Sequence, residues 1–422
     1  MTVTTETAPR RRVDVLDGIR GIAIVLVVLS HGWTIWPTSG LKSSPVLRTL
    51  FESGDFAVSI FFVVGAYLAV SAMLRESDRT GSLRFGIFWV RRWIRISAHV
   101  YPLVIAVLAL TALDRSVNAY PFADTRTSAL HIVTYTWTDY VSKNALFARP
   151  DLGHLWYVCT DIWVILLLAV LVYVFGRNRA LLLTVLATIT VFVMIWRSHV
   201  YAVDGEFQAL IRITCRMDSM LWGAMAAVAV PWAKRLAPKA PLYGAVAVVA
   251  LVPVMYLARP NAAYFGYAGV LLDLALFVFV LSVALAEPRQ GVRRVLAWRP
   301  LQVLGRYSFP LYLWHYPIFW YLSRNAVDWG WGGRAVLGIG LSIVISVVTM
   351  RIIEKPLQRW LAGDQWRQAV ADGLVRTLVR KVRESVTPKR TGGQRASAAE
   401  GGPGAPDLEP RADTKSPAGQ AD

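Results

Sequence analysis

The 422-residue chain is 55% hydrophobic and only 17% charged, with a formal net charge of +18. That balance excludes an ordinary soluble domain, which carries more charge and shorter apolar runs. The surplus arginines fall between apolar runs, so they read as the positive-inside bias of a membrane protein and not as a nucleic-acid interface.

A bilayer core of roughly 30 Å takes about 20 helical residues. Charge-free stretches of that order recur: 21 residues over Gly21–Leu41, 19 over Phe56–Leu74, 18 over Ile96–Leu113 and 19 over Ala240–Ala258. We expect an all-α, polytopic membrane protein with about ten transmembrane helices. The expected spans are 19–37, 55–74, 96–113, 153–176, 179–197, 215–232, 241–258, 266–286, 307–323 and 334–353. Asp161 and Asp218 interrupt the fourth and sixth, and the eighth holds Asp273. The first run is too long for a signal peptide and no small-residue cleavage site follows it, so it is expected to be retained.

Residues 1–18 read as a cytoplasmic segment and 19–360 as the membrane domain. The connection Arg75–Arg95 holds six arginines, and Glu287–Arg306 holds five. Placing both inside puts both termini in the cytoplasm and the protein in the plasma (inner) membrane. The longest outside connection, Asp114–Asp151, carries Tyr120, Tyr135, Trp137, Tyr140 and Phe147. These read either as a platform for a sugar or lipid acceptor or as an interfacial aromatic belt. Beyond Trp360, Val370, Leu374, Leu378 and Val382 recur every four residues among arginines, the pattern of an amphipathic inner-leaflet helix over 361–385. The Gly-, Ala-, Pro- and Ser-rich tail over 386–422 reads as disordered. Cys159 and Cys215 lie in or beside spans, so no disulfide framework is expected.

Polar groups inside spans are costly and are functional candidates by default. Arg20 and His31 are eleven residues apart. At 100° per residue they face almost the same way, about 16 Å apart along the helix. One face then presents a guanidinium at the cytoplasmic rim and an imidazole deeper in. The bland alternative is a histidine hydrogen-bonded to a neighbouring helix. His315 precedes Pro317, a break in backbone bonding that lines a cavity or merely kinks the helix. His154 sits at the mouth of the fourth span, with Asp161 about two turns deeper, where a carboxylate orients a histidine or neutralises an arginine. Arg216 and Asp218 open the sixth span as a candidate mutual ion pair. Arg92 and Arg95, three apart, share a helix face, and two adjacent guanidiniums call for an anion such as phosphate between them. No metal-ligand spacing, nucleophile elbow or phosphate-binding glycine loop occurs. Gly330–Gly340 reads as a turn followed by close helix packing.

The blocks "VDVLDGIRGIAIVLVVLSHGW", "FAVSIFFVVGAYLAV", "FWVRRWIRIS", "GHLWYVCTDIWVILL", "RMDSMLWGAMAA", "LGRYSFPLYLWHYPIF" and "RIIEKPLQRW" come in the order seen in one family. Over about residues 12–360 the chain resembles the integral-membrane acyltransferase-3 family, whose hallmark Arg-x(10)-His is matched by Arg20 and His31. The resemblance implies transfer of an acyl group, often acetyl, from acyl-CoA to a hydroxyl of a carbohydrate, a lipid-linked sugar or a small natural product. Acyl-CoA is then a co-substrate, with no bound cofactor and no metal, and membrane lipid rather than nucleic acid is the partner. It implies His31 as general base, with Arg20 and Asp161 in the catalytic group, and Arg92 and Arg95 on the phosphates of coenzyme A. Trp156, Arg216, Asp218, Ser308, Tyr312 and His315 fall in its other blocks as candidate substrate contacts. Three departures stand out. Asp161 replaces a usual glutamate, Gly65-Ala66-Tyr67 replaces Ser-Gly-Phe, and Phe309-Pro310 stands where a tyrosine is usual. With no esterase-like domain following, two-domain peptidoglycan-type members are expected to be poor models. The competing reading is an exporter of a glycoconjugate.

Overall fold

Hydrocarbon offers no partner for an unpaired N–H or C=O, so long apolar runs that cross it fold as helices. In the computed structural model every regular element among the described residues is helical. The structure describes residues 8–38, 40, 44–114, 120–258, 261–287, 291–363 and 366, with the backbone alone for 8–14 and 261.

In chain order the helices begin with α1 (Ala8–Ile35), α2 (Pro45–Phe51), α3 (Gly54–Thr80), α4 (Phe85–Leu113), α5 (Phe122–Val133) and α6 (Trp137–Asn144). Next come α7 (Trp156–Phe175), α8 (Arg179–Asp204), α9 (Glu206–Ile211), α10 (Ile213–Arg216), α11 (Asp218–Ala233) and α12 (Ala240–Leu257). The last are α13 (Asn261–Ala263), α14 (Gly269–Leu285), α15 (Val292–Leu296), α16 (Arg299–Asn325), α17 (Trp331–Thr349) and α18 (Lys355–Ala362). A 3₁₀ turn over Pro150–Leu155 leads into α7, and π-turns over Tyr264–Ala268 and Met350–Glu354 lead into α14 and α18.

Among the described residues, eight segments are long and apolar enough to cross a membrane. One of them, Asp218–Leu257, holds two helices, α11 and α12, joined over Lys234–Lys239. The remaining expected span, α16, is 27 residues long and falls short on apolarity, because its crossing stretch carries Tyr307, Tyr312, Tyr316, Tyr321, Pro310, Pro317 and His315. Its direction fits the ten-span reading. Gly21 on α1 abuts Leu301 and Gly305 on α16, and further along both helices His31 meets His315. The two helices therefore run parallel, as the first and ninth of ten alternating spans must.

That crossing is backbone on backbone. A Cβ on Gly305 would lie 1.8 Å from the Asp17 carbonyl oxygen, and one on Gly21 would lie 2.2 Å from that of Leu301. Only glycine admits the approach, and the approach brings the two histidine-bearing stretches together. Helices α1 and α3 are mostly buried, whereas α8 and α17 turn most of their length outward. Gly338 on α17 packs onto Phe319 of α16, the close contact expected of the glycine run. Cys159 and Cys215 are buried free thiols. The amphipathic helix expected over 361–385 and the tail over 386–422 lie outside the described residues, save for 361–363 and 366.

Candidate active site

The α1–α16 crossing sets His31 against His315, with Nδ1 of His31 2.7 Å from Nε2 of His315 and the rings nearly parallel. Nδ1 of His315 faces the Leu311 carbonyl at 2.9 Å. A carbonyl only accepts, so Nδ1 of the neutral His315 ring carries the proton and its Nε2 carries the lone pair. Nδ1–H of His31 then donates to that lone pair, which leaves Nε2 of His31 unprotonated. No described residue hydrogen-bonds to that nitrogen. His315 is fully buried, while His31 is partly exposed. The arrangement is an imidazole with a fixed tautomer, its lone-pair nitrogen facing away from its support.

Two tyrosines and a third histidine complete the cluster. Tyr316 stands edge-on to His31, with ring centroids 4.7 Å apart, and packs equally close to His154. His154 is buried on the 3₁₀ turn before α7, and Tyr312 donates its hydroxyl to the His154 carbonyl. The role of Pro317 follows from its missing N–H. The carbonyl of Leu313, four residues earlier, has no helical partner, and Nε2–H of His154 donates to it at 3.1 Å. Nδ1 of His154 remains a buried acceptor without a partner. The sequence showed the proline break, but not that a histidine from another span fills it. Pro317→Ala is expected to restore the competing N–H and loosen His154, so transfer should fall severalfold with no loss of thermal stability. Equal activity of the two proteins would remove His154 from the site.

The opposite stretch of α1 carries Arg20, 3.4 Å from Asp17 and within electrostatic reach of Tyr157, Arg95 and Asp161. Tyr157 links the two regions, with its ring 5.1 Å from that of Tyr312. Arg92 places one nitrogen between both oxygens of Asp161, at 2.7 and 2.6 Å. Arg95 lies 2.7 Å from Glu354. The two guanidiniums are thus neutralised separately by carboxylates of α7 and the second π-turn. Among the described residues, no hydrogen bond joins Asp161 to a histidine.

The remaining candidates lie elsewhere. Asp218 pairs with Arg197 and not with Arg216, because residues two apart do not face each other. Arg216 instead meets the Tyr264 hydroxyl and, at 3.4 Å, Asp55, and its guanidinium lies 5.3 Å from the Trp156 ring centre. Ser308 is fully buried and bonds the Gly305 carbonyl of its own helix at 2.7 Å. In the outer connection Tyr135 and Trp137 are core residues. Tyr120 is clasped between Arg149 and Arg324, at 3.9 and 4.3 Å. Burial, with Asp151 nearby, raises the Tyr120 phenol above its ordinary range despite these guanidiniums. Tyr120 and Tyr140 are half-buried and Phe147 is exposed, so three of the five aromatics keep accessible surface and two belong to the core. Among the described residues no group of three or more His, Cys, Asp or Glu is placed to hold a metal ion.

The family model described as an acyltransferase domain, that of the acyltransferase-3 family, matches residues 13–351. The chain belongs to this family. The peptidoglycan O-acetyltransferase OatA of Listeria monocytogenes is 23% identical over 373 residues, covering 83% of this chain and 56% of that protein. The O-acetyltransferase OatA of Staphylococcus aureus strain NCTC 8325 is 23% identical over 367 residues, covering 82% and 57%. The chain thus spans under three-fifths of the length of these curated relatives. No solved structure matches. The acyltransferase domain of that family thus lies on helices that, among the described residues, are long and apolar enough to cross a membrane several times. The family's Arg-x(10)-His block is the stretch of α1 that carries Arg20 and His31.

Proposed function

We propose that the protein moves an acyl group, acetyl in the first instance, from acyl-CoA to a hydroxyl of a carbohydrate, a glycolipid or a small natural product. The observation that supports this best is the chain His31–His315–Leu311, which leaves Nε2 of His31 free to act as a base. In this reading the acceptor oxygen attacks the thioester carbonyl as Nε2 of His31 takes its proton. The tetrahedral oxyanion then collapses, the C–S bond breaks, and the thiolate leaves with the proton held by His31. Direct transfer needs no covalent enzyme intermediate. The positive charge that His31 gains is shared with His315 through their hydrogen bond.

The donor enters from the cytoplasmic side, where both termini lie, and its phosphates meet the arginine end of α1 and α4. Arg95, with a 60% exposed side chain, is the better placed phosphate contact; Arg92 is 24% exposed and held by Asp161. The protein sits in the plasma membrane. Peptidoglycan, named for the Listeria relative, is one carbohydrate acceptor within this class. Two measurements test the reading. Replacing Arg92 and Arg95 together by alanine should abolish binding of labelled acetyl-CoA to the purified protein, and unchanged binding would refute the donor site. Mass spectrometry of glycolipids, cell wall and secreted metabolites from a deletion strain should show a missing acyl group. An unaltered acylation profile across growth conditions would count against the acceptor class.

A further inference from the structure

The donor reading makes no use of Glu354, a carboxylate buried to within a few per cent. It sits on the π-turn Met350–Glu354, where the Lys355 N–H reaches back five residues to Met350. That extra residue shifts the register of the helix face. Glu354 points inward, while Arg351 and Lys355 stay exposed. Four nitrogens converge on it. Oε1 accepts from Nε of Arg95 at 2.9 Å and from Nε2 of Gln358 at 2.7 Å, and Nη2 of Arg95 lies 2.7 Å from it as an ion pair. Oε2 faces Nε2 of His99 at 2.9 Å. His99 is itself buried, edge-on to Phe309, and its Nδ1 has no partner. A proton on that nitrogen would be an unsatisfied buried donor, so His99 is neutral and donates through Nε2.

We infer that Glu354, seated by His99, is a positioning residue that presents Arg95 to the phosphates of the acyl donor. This rests on the donor reading above. The carboxylate grips the Nε–Nη2 edge of the guanidinium from the protein side. A guanidinium has five donors, and those that remain are carried by a side chain that is 60% exposed. An unsupported arginine would lose rotamer freedom each time it closed on a phosphate, whereas one held in advance would not. Glu354 also cancels the Arg95 charge that would otherwise repel Arg92 one helical turn away.

Binding of acetyl-CoA and of its 3′-dephospho analogue to the full-length protein separates positioning from a merely structural tie between α4 and the π-turn. Arg95→Ala should weaken acetyl-CoA binding by about tenfold, the loss expected for one charge-assisted phosphate contact. Glu354→Gln should weaken it severalfold, raising KM for the donor while kcat at saturation holds. His99→Leu, which leaves the carboxylate on Arg95, should do the same to a smaller degree. In the Arg95→Ala background both substitutions should be silent. A Glu354→Gln or His99→Leu loss that persists undiminished in that background would overturn the inference. So would folded Glu354→Gln protein with wild-type affinity, and in both cases the donor reading would stand. If Arg95→Ala binds acetyl-CoA as tightly as wild type, the inference and the Arg95 donor contact fall together. If Glu354→Gln does not fold, the His99→Leu pair of measurements decides alone.

Discussion

Replacing His31 by alanine is expected to lower acyl transfer by about 10²- to 10⁴-fold, the usual worth of a positioned general base, with acetyl-CoA binding unchanged. The argument is geometric. His31 is the only one of the three clustered histidines with a ring nitrogen that is both outside the hydrogen-bond chain and partly exposed. His315 uses both nitrogens, one on Leu311 and one on His31. His154 keeps its free nitrogen buried. A base must be unprotonated, so wild-type activity should fall on acidification, and the residual rate of His31→Ala should not follow that limb. His315→Gln keeps an acceptor for Nδ1–H of His31 and should retain more activity than His315→Leu, which frees the ring to adopt either tautomer. Full transfer by His31→Ala would refute the assignment. A collapse of acetyl-CoA binding in the same variant would instead mark His31 as a donor contact.

The elements that declare themselves in the sequence are those governed by local rules. Helix period alone puts Arg20 and His31 on one face, because both lie on a single continuous helix. Hydrophobic run length finds nearly every span, and even α16, with its arginines and histidine, is bracketed by basic and aromatic residues that mark its ends. What the sequence could not pair are groups far apart along the chain. Glu354 finds Arg95 across 259 positions and Asp161 finds Arg92 across 69. No local rule chooses among the available carboxylates. Asp218 shows the cost of guessing by proximity: its neighbour Arg216 is two residues away and points elsewhere, while Arg197 comes from another span. Pro317 was visible as a break, but its consequence, a free Leu313 carbonyl held by His154, needed the depth of the 3₁₀ turn, which only packing sets.

Gly305→Ala should disable the enzyme from a position well below the histidines. The added Cβ would lie 1.8 Å from the Asp17 carbonyl oxygen, and the nearby Asp17 carbonyl carbon would be 2.5 Å away. Those are backbone atoms of a buried helix, so no side chain can swing aside, and α1 and α16 must move apart. Overpacking of this kind costs about 1–3 kcal/mol, which lowers thermal stability without preventing insertion of either span. The larger effect falls on the chemistry. The two helices are parallel and rigid, so a displacement of about 1 Å at the crossing is carried toward the 2.7 Å contact of His31 with His315, and a misplacement of that size can cost about 10²-fold in rate. The companion variant Gly223→Ala separates this from a general loss of packing. Its Cβ would lie 2.1 Å from the Val63 carbonyl oxygen, where α11 packs on α3, away from the α1–α16 crossing. It should lower the melting temperature comparably while leaving much more of the transfer rate. Equal loss of rate in the two variants would mean that the α1–α16 crossing has no special hold on the histidine pair.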